Sequence, residues 1–133
     1  MKKRGINWLD RRISAPGPHL CLCLSRDEYE SAMRHLGVKQ YGPWINTPQA
    51  DATAHHLTHD RGLSVVVCLS AWHGKDPVEV AGLLVHEAVH AWQEWCAFYG
   101  EKYPGSEQEA YAVQSIAQEL MAEFARRMEE LQC

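Results

Sequence analysis

The segment fenced by Asp76-Pro77-Val78-Glu79 and Gly100 limits the fold of this chain more than any other. Aspartate is a strong helix cap, proline at the first helical position has its φ already set, and Glu79 completes the spacing of a capping box. Gly100, with Pro104 beyond it, marks the stop. The spacing predicts a helix over about 77–99. Ser106-Glu107-Gln108-Glu109 repeats the capping-box pattern, and Ala110, Val113, Ala117, Leu120, Phe124 and Met128 recur at helical intervals to about residue 131. Two long helices therefore close the chain.

Upstream, Leu63 to Ser70 is a continuous β-branched and apolar run, the clearest strand signal in the sequence. Asp60-Arg61-Gly62 joins it to the weakly alternating residues 49–59, which predicts a hairpin. Residues 40–48 hold Gly42, Pro43, Trp44 and Pro48 and read as loop. Ser25 and Glu28 have capping-box spacing, with Tyr29, Ala32, Met33 and Leu36 following on one face, so a helix over 26–36 is expected. Cys21 and Cys23 alternate with Leu20, Leu22 and Leu24, a strand pattern rather than a metal knuckle, since no second cysteine pair stands at finger spacing. Residues 1–18, ending in Ala15-Pro16-Gly17-Pro18, read as an irregular basic arm. The sum is one α+β domain over 1–133: a short antiparallel or mixed sheet packed against two long helices, with an earlier helix covering one side.

Composition excludes several classes. The net charge of −4 divides unevenly: Lys2, Lys3, Arg4, Arg11 and Arg12 lie near the start, and from Asp76 onward acidic residues outnumber basic ones eleven to three. Five basic residues without interleaved aromatics beyond Trp8 do not make a nucleic-acid surface. No stretch reaches the roughly 18 apolar residues of a membrane span, and the basic start is not followed by an apolar signal region. Five cysteines at irregular spacing argue for free thiols in a reducing compartment, so a cytoplasmic protein is expected.

Chemistry concentrates in Leu84-Val85-His86-Glu87-Ala88-Val89-His90-Ala91-Trp92. Histidines four apart on a helix share a face, offset by about 40° and roughly 6 Å along the axis, so both imidazoles can reach one ion. Zinc binds imidazole nitrogen at about 2.0–2.1 Å, and its catalytic sites keep one coordination position open for water. Zinc brings the pKa of that water to about 7, and a carboxylate held beside it accepts the proton and returns it to a leaving amine. Glu87, rotated about 100° from His86, is the candidate general base. For a chain of this composition H-E-x-x-H arises by chance about 0.04 times, and its position inside a well-capped helix after a strong strand favours the functional reading further. Two histidines and a glutamate within an apolar run are costly to bury unless they share a task.

A third donor must come from the last helix. Glu109 stands three after Ser106, where its capping role is to reach back to the Ser106 amide, which leaves Glu107 freer to ligate; Glu107 is thus preferred and Glu109 is the alternative. Tyr111 is placed to hydrogen-bond a ligand from behind. Loop and strand histidines His55, His56, His59 and His73 are candidates for stabilising an oxyanion, with ordinary surface roles the simpler account. Trp92 and Trp95 are expected to pack between the two long helices.

His86-Glu87-x-x-His90, followed on a later helix by Glu107-x-x-Ala110, resembles the gluzincin branch of the zincin metallopeptidases, in particular small single-domain forms encoded by phages and prophages. The stretches His-Glu-Ala-Val-His-Ala-Trp-Gln and Glu-Ala-Tyr-Ala-Val-Gln carry the likeness, which spans about residues 63–125. It implies a zincin-like fold (a minigluzincin) with a sheet of three strands or slightly more, an active-site helix, one zinc ion and a peptide or protein substrate received by strand addition at or next to residues 63–70. Many gluzincins have Asp or Asn where this chain has Tyr111, a departure that leaves that residue's role open. Two other classes fit parts of the pattern: a binding or regulatory protein keeping zinc as a structural clamp, and a virion assembly component. Glu87 discriminates against the clamp, because closed structural sites use four protein ligands and need no carboxylate beside an open position.

Overall fold

The computed structural model describes residues 18–59 and 62–132. The basic arm through residue 17, the turn residues 60 and 61, and Cys133 lie outside them. The order of elements is β1 (His19–Cys23), α1 (Arg26–His35), β2 (Ala52–His59), β3 (Gly62–Leu69), α2 (Pro77–Tyr99) and α3 (Ser106–Gln132). This is an α+β arrangement with a three-stranded mixed sheet in the order β1-β3-β2. β3 is central, parallel to β1 with His19 opposite Ser64, and antiparallel to β2 with His59 opposite Gly62.

The sheet is covered on both faces, and side-chain alternation decides what each face meets. Leu20 and Leu22 of β1 and Leu63, Val65, Val67 and Leu69 of β3 pack with Leu84, Ala88, Ala91 and Trp92 of α2 and Ile116, Ala117 and Leu120 of α3. Cys21, Cys23, Val66 and Cys68 point the other way, onto Tyr29, Ala32 and Met33 of α1. Both faces of β3 are thus buried, which explains why its sequence is continuously apolar instead of alternating. Each fully buried leucine or valine contributes about 1.5–3 kcal/mol of transfer free energy. The four cysteines among the described residues are free and buried, as the irregular spacing implied.

Helix ends follow the expected signals, with three corrections of detail. Ser25 Oγ accepts from the Glu28 amide at 3.2 Å, and Glu28 Oε1 accepts from the Leu24 amide at 3.0 Å, so a box closes one residue early. Asp76 caps α2 by accepting from the Val78 amide at 2.7 Å, but Glu79 does not complete a box; its carboxylate lies 3.6 Å from Lys75 Nζ. Gly100 ends α2 at φ 73°, a left-handed conformation that glycine adopts without strain. Ser106 is the first residue of α3 rather than its cap, and the Glu109 amide donates to the Gly105 carbonyl at 2.9 Å. Where β1 and β3 end, Arg127 of α3 ion-pairs with Glu28 of α1, and Trp72 Nε1 donates to the Leu24 carbonyl at 3.1 Å. Among the described residues no helix is long and apolar enough to cross a membrane.

Candidate metal centre and its cleft

α2 turns its core side, with Leu84, Ala88, Ala91 and Trp92, toward the sheet and α3. The helical repeat places His86 and His90 away from that side, and both are exposed. Glu87 lies between the two sides and is only 5 % exposed. One turn of helix thus presents two imidazoles to solvent beside a sequestered carboxylate.

The imidazoles converge. His86 Nε2 and His90 Nε2 are 3.1 Å apart, with ring centroids at 4.8 Å. Two nitrogens at about 2.0–2.1 Å from one tetrahedral ion would stand roughly 3.3 Å apart, so the pair fits a shared zinc. His90 Nδ1 lies 3.2 Å from Gln93 Oε1. With the amide oxygen as acceptor, the tautomer that fits this contact carries its proton on Nδ1 and has the Nε2 lone pair open to an ion. Gln93 was not singled out by the sequence reading; its signal is the three-residue spacing from His90.

Burial pushes the Glu87 carboxyl above its ordinary range, and the nearby imidazoles of His86 and His90 offset part of that rise. No hydrogen bond to its carboxylate is present among the described residues. A carboxyl with raised proton affinity, poorly solvated and open to a cleft, is suited to accept a proton and release it again.

That cleft encloses about 540 Å³ and is lined by His86, Glu87, Leu83, Gly82 and Glu79 of α2, by Lys75 ahead of it, and by Ala50, Asp51 and Ala52 leading into β2. It runs beside the edge of the sheet at β2, which no other strand among the described residues pairs with. The Ser70 amide donates to the Asp51 carbonyl at 2.9 Å, which fixes residues 51, 53, 55, 57 and 59 as those bonded to β3. The backbone N–H and C=O groups of Ala52, Ala54, His56 and Thr58 consequently point away from β3, toward the side of β2 on which the described residues place no strand. The strand expected at or next to the receiving edge, 63–70, is the central one; its neighbour β2 is the edge.

The third donor is not gathered with the imidazoles: among the described residues no group of three or more His, Cys, Asp or Glu side chains surrounds one point. Glu107 and Tyr111 are exposed on the first turns of α3. Glu109 does not reach back to Ser106; its Oε2 accepts from Trp92 Nε1 at 2.9 Å, across the interface to α2. Glu109 is therefore no more occupied by capping than Glu107 is. Trp92 is buried and Trp95 half-buried against the core, as their helical positions implied.

The oxyanion candidates separate. His55 Nε2 is 2.8 Å from the Trp44 carbonyl, His59 Nε2 is 2.7 Å from Ser64 Oγ, and His73 stacks on Trp72. His56, on the outward-bonding row of β2, meets α2 at Glu94, one turn beyond His90, with Nε2 3.4 Å from the carboxylate. Sequence reasoning also missed Asp51, Lys75 and Glu79, which the fold alone brings to one end of the cleft; the Lys75–Glu79 spacing was their only linear trace. No protein-family model, curated protein or solved structure matches the chain.

Proposed function

We propose that this chain is a zinc-dependent metallopeptidase of zincin type, with His86 and His90 as metal ligands and Glu87 as general base and then acid. The observation that carries the reading is the convergence of the two Nε2 atoms at 3.1 Å beside a buried carboxylate that opens into a cleft. A capped helix and a sheet edge left unpaired among the described residues give this arrangement its frame. Zinc would supply Lewis acidity that makes water a nucleophile near neutral pH.

The remaining work falls to the chain's own residues. Gln93 holds the His90 tautomer. Glu87 takes the proton from the attacking water and delivers it to the departing amine, and its burial matches its proton affinity to that exchange. The outward backbone groups of Ala52, Ala54, His56 and Thr58 pair with an extended peptide and lay it along the cleft. His56 is the histidine we assign to the developing oxyanion. For the third ligand we favour Glu109 over Glu107, since its carboxylate already crosses to α2; the Trp92 indole holds it on the core side of that helix, and ligation would have it swing round to the imidazoles.

The test joins metal content to turnover. Purified protein should retain close to one zinc per chain and cleave unstructured peptides, and a chelator should stop the cleavage until zinc is restored. Glu87→Gln should keep the metal and lose the cleavage. Zinc-loaded protein inert toward a broad peptide library would overturn the reading.

A further inference from the structure

The outer end of the cleft is built from charges that the hydrolytic chemistry does not use. Asp51 and Glu79 flank Lys75, with carboxylate oxygens 3.8 and 3.6 Å from its Nζ. Both separations exceed hydrogen-bonding distance, so the contacts are ion pairs that leave the acceptor positions of both carboxylates open. Neither carboxylate accepts another hydrogen bond among the described residues. Two carboxylates against one ammonium leave this end with a net negative charge. Farther in, Glu87 is more than nine-tenths buried, lines the same cavity and lacks a hydrogen-bond partner among the described residues.

We infer that this cleft seats a lysine or arginine side chain of the peptide substrate, with Asp51 and Glu79 as its receptors and Lys75 as the internal cation it displaces. The inference rests on the peptidase reading for the word substrate, but the cation seat itself does not. Glu79 precedes His86 by seven residues, about 10.5 Å of helix rise, or roughly three residues of extended peptide. The preferred basic residue therefore lies within about three positions of the scissile bond, on the side of the α2 N-terminus. A guanidinium can bond both carboxylates through its fork of donors, which a single ammonium such as Lys75 does less well.

The experiment follows backbone amide shifts of the full chain while Nα-acetyl-arginine amide, Nα-acetyl-norleucine amide or Nα-acetyl-glutamate amide is added. The arginine probe should move the Gly82 and Ala52 resonances saturably, the glutamate probe should not, and 0.5 M salt, at roughly a 4 Å screening length, should weaken the effect. Asp51→Asn with Glu79→Gln should weaken arginine binding about tenfold, and Lys75→Met should tighten it. Equal responses to arginine and norleucine, or weaker arginine binding in Lys75→Met, would overturn the inference. In a parallel peptide library, cleavage should favour a basic residue near the scissile bond, and this preference should fade in the double variant. Arginine binding without any peptide cleavage would uphold the cation seat and remove the peptidase reading. Cleavage indifferent to basic residues would do the reverse.

Discussion

Trp92 Nε1 donates to Glu109 Oε2 at 2.9 Å, joining the helix that bears both histidines to the helix that bears the remaining candidate ligand. The indole is buried, so its N–H needs a partner, and Glu109 is the partner it has. Trp92→Phe keeps much of the ring but removes the donor and leaves space behind. We expect a loss of about 1–3 kcal/mol in urea unfolding. Zinc affinity should also fall, by about 10–100-fold. An unchanged zinc affinity would separate the indole from the metal centre.

Glu109→Ala should weaken zinc binding far more than Glu107→Ala. Competitive titration against a chromogenic chelator ranks the two directly, and a larger loss in Glu107→Ala would return the third-ligand role to that residue. On the zinc reading, saturating metal should also raise the unfolding free energy of the wild type, by about 2.7 kcal/mol at one hundred times Kd.

On the peptidase reading, Glu87→Gln preserves shape and removes the proposed proton acceptor. The expected result is a fall in kcat of about 10²–10⁴-fold with KM nearly constant, measured on any peptide the wild type cleaves. Retained zinc in the same sample shows that the loss is chemical and not a failure to hold the metal.

Tyr29 offers a test of the opposite face of the sheet. Its hydroxyl donates to the Gly42 carbonyl at 2.9 Å, and burial pushes its pKa from the ordinary 10 up to about 12. Below pH 10 the tyrosine is protonated in both folded and unfolded chains. Between about pH 10 and 12 the unfolded chain releases the proton first, so stability falls as pH rises, by an amount on the order of 2 kcal/mol. Tyr29→Phe should cost about 1 kcal/mol near neutrality through the lost hydrogen bond. It should also flatten the alkaline decline relative to the wild type in denaturant titrations at stepped pH.

Local signals made most of the framework readable before the structure. Asp76-Pro77 and Gly100 bounded α2 to within a residue, because caps and left-handed stops depend on neighbours in sequence. The run at 63–70 announced a strand, and β3 spans Gly62–Leu69. The sequence could not say that β1, separated from β3 by α1 and β2, would lie parallel beside it, since that pairing is set by which apolar faces need covering. At the site, the histidine spacing foretold that the two rings could meet, because both belong to one helix. The partner of Glu109 was not legible: capping geometry offered it a local bond, and the indole of another helix took it instead. The meeting of Asp51 with Glu79 is equally a product of the fold, linking residues far apart in the chain.

β2 has one further consequence. From Ala52 to His59 the strand contains no proline, no lysine and no carboxylate, the residues with which natural sheets usually guard an exposed margin. A margin left ready to accept a passing chain has no means of refusing a copy of itself. Concentrated solutions of this protein should therefore cloud or self-associate first along this row, and a lysine placed at Thr58 would trade receptivity for solubility.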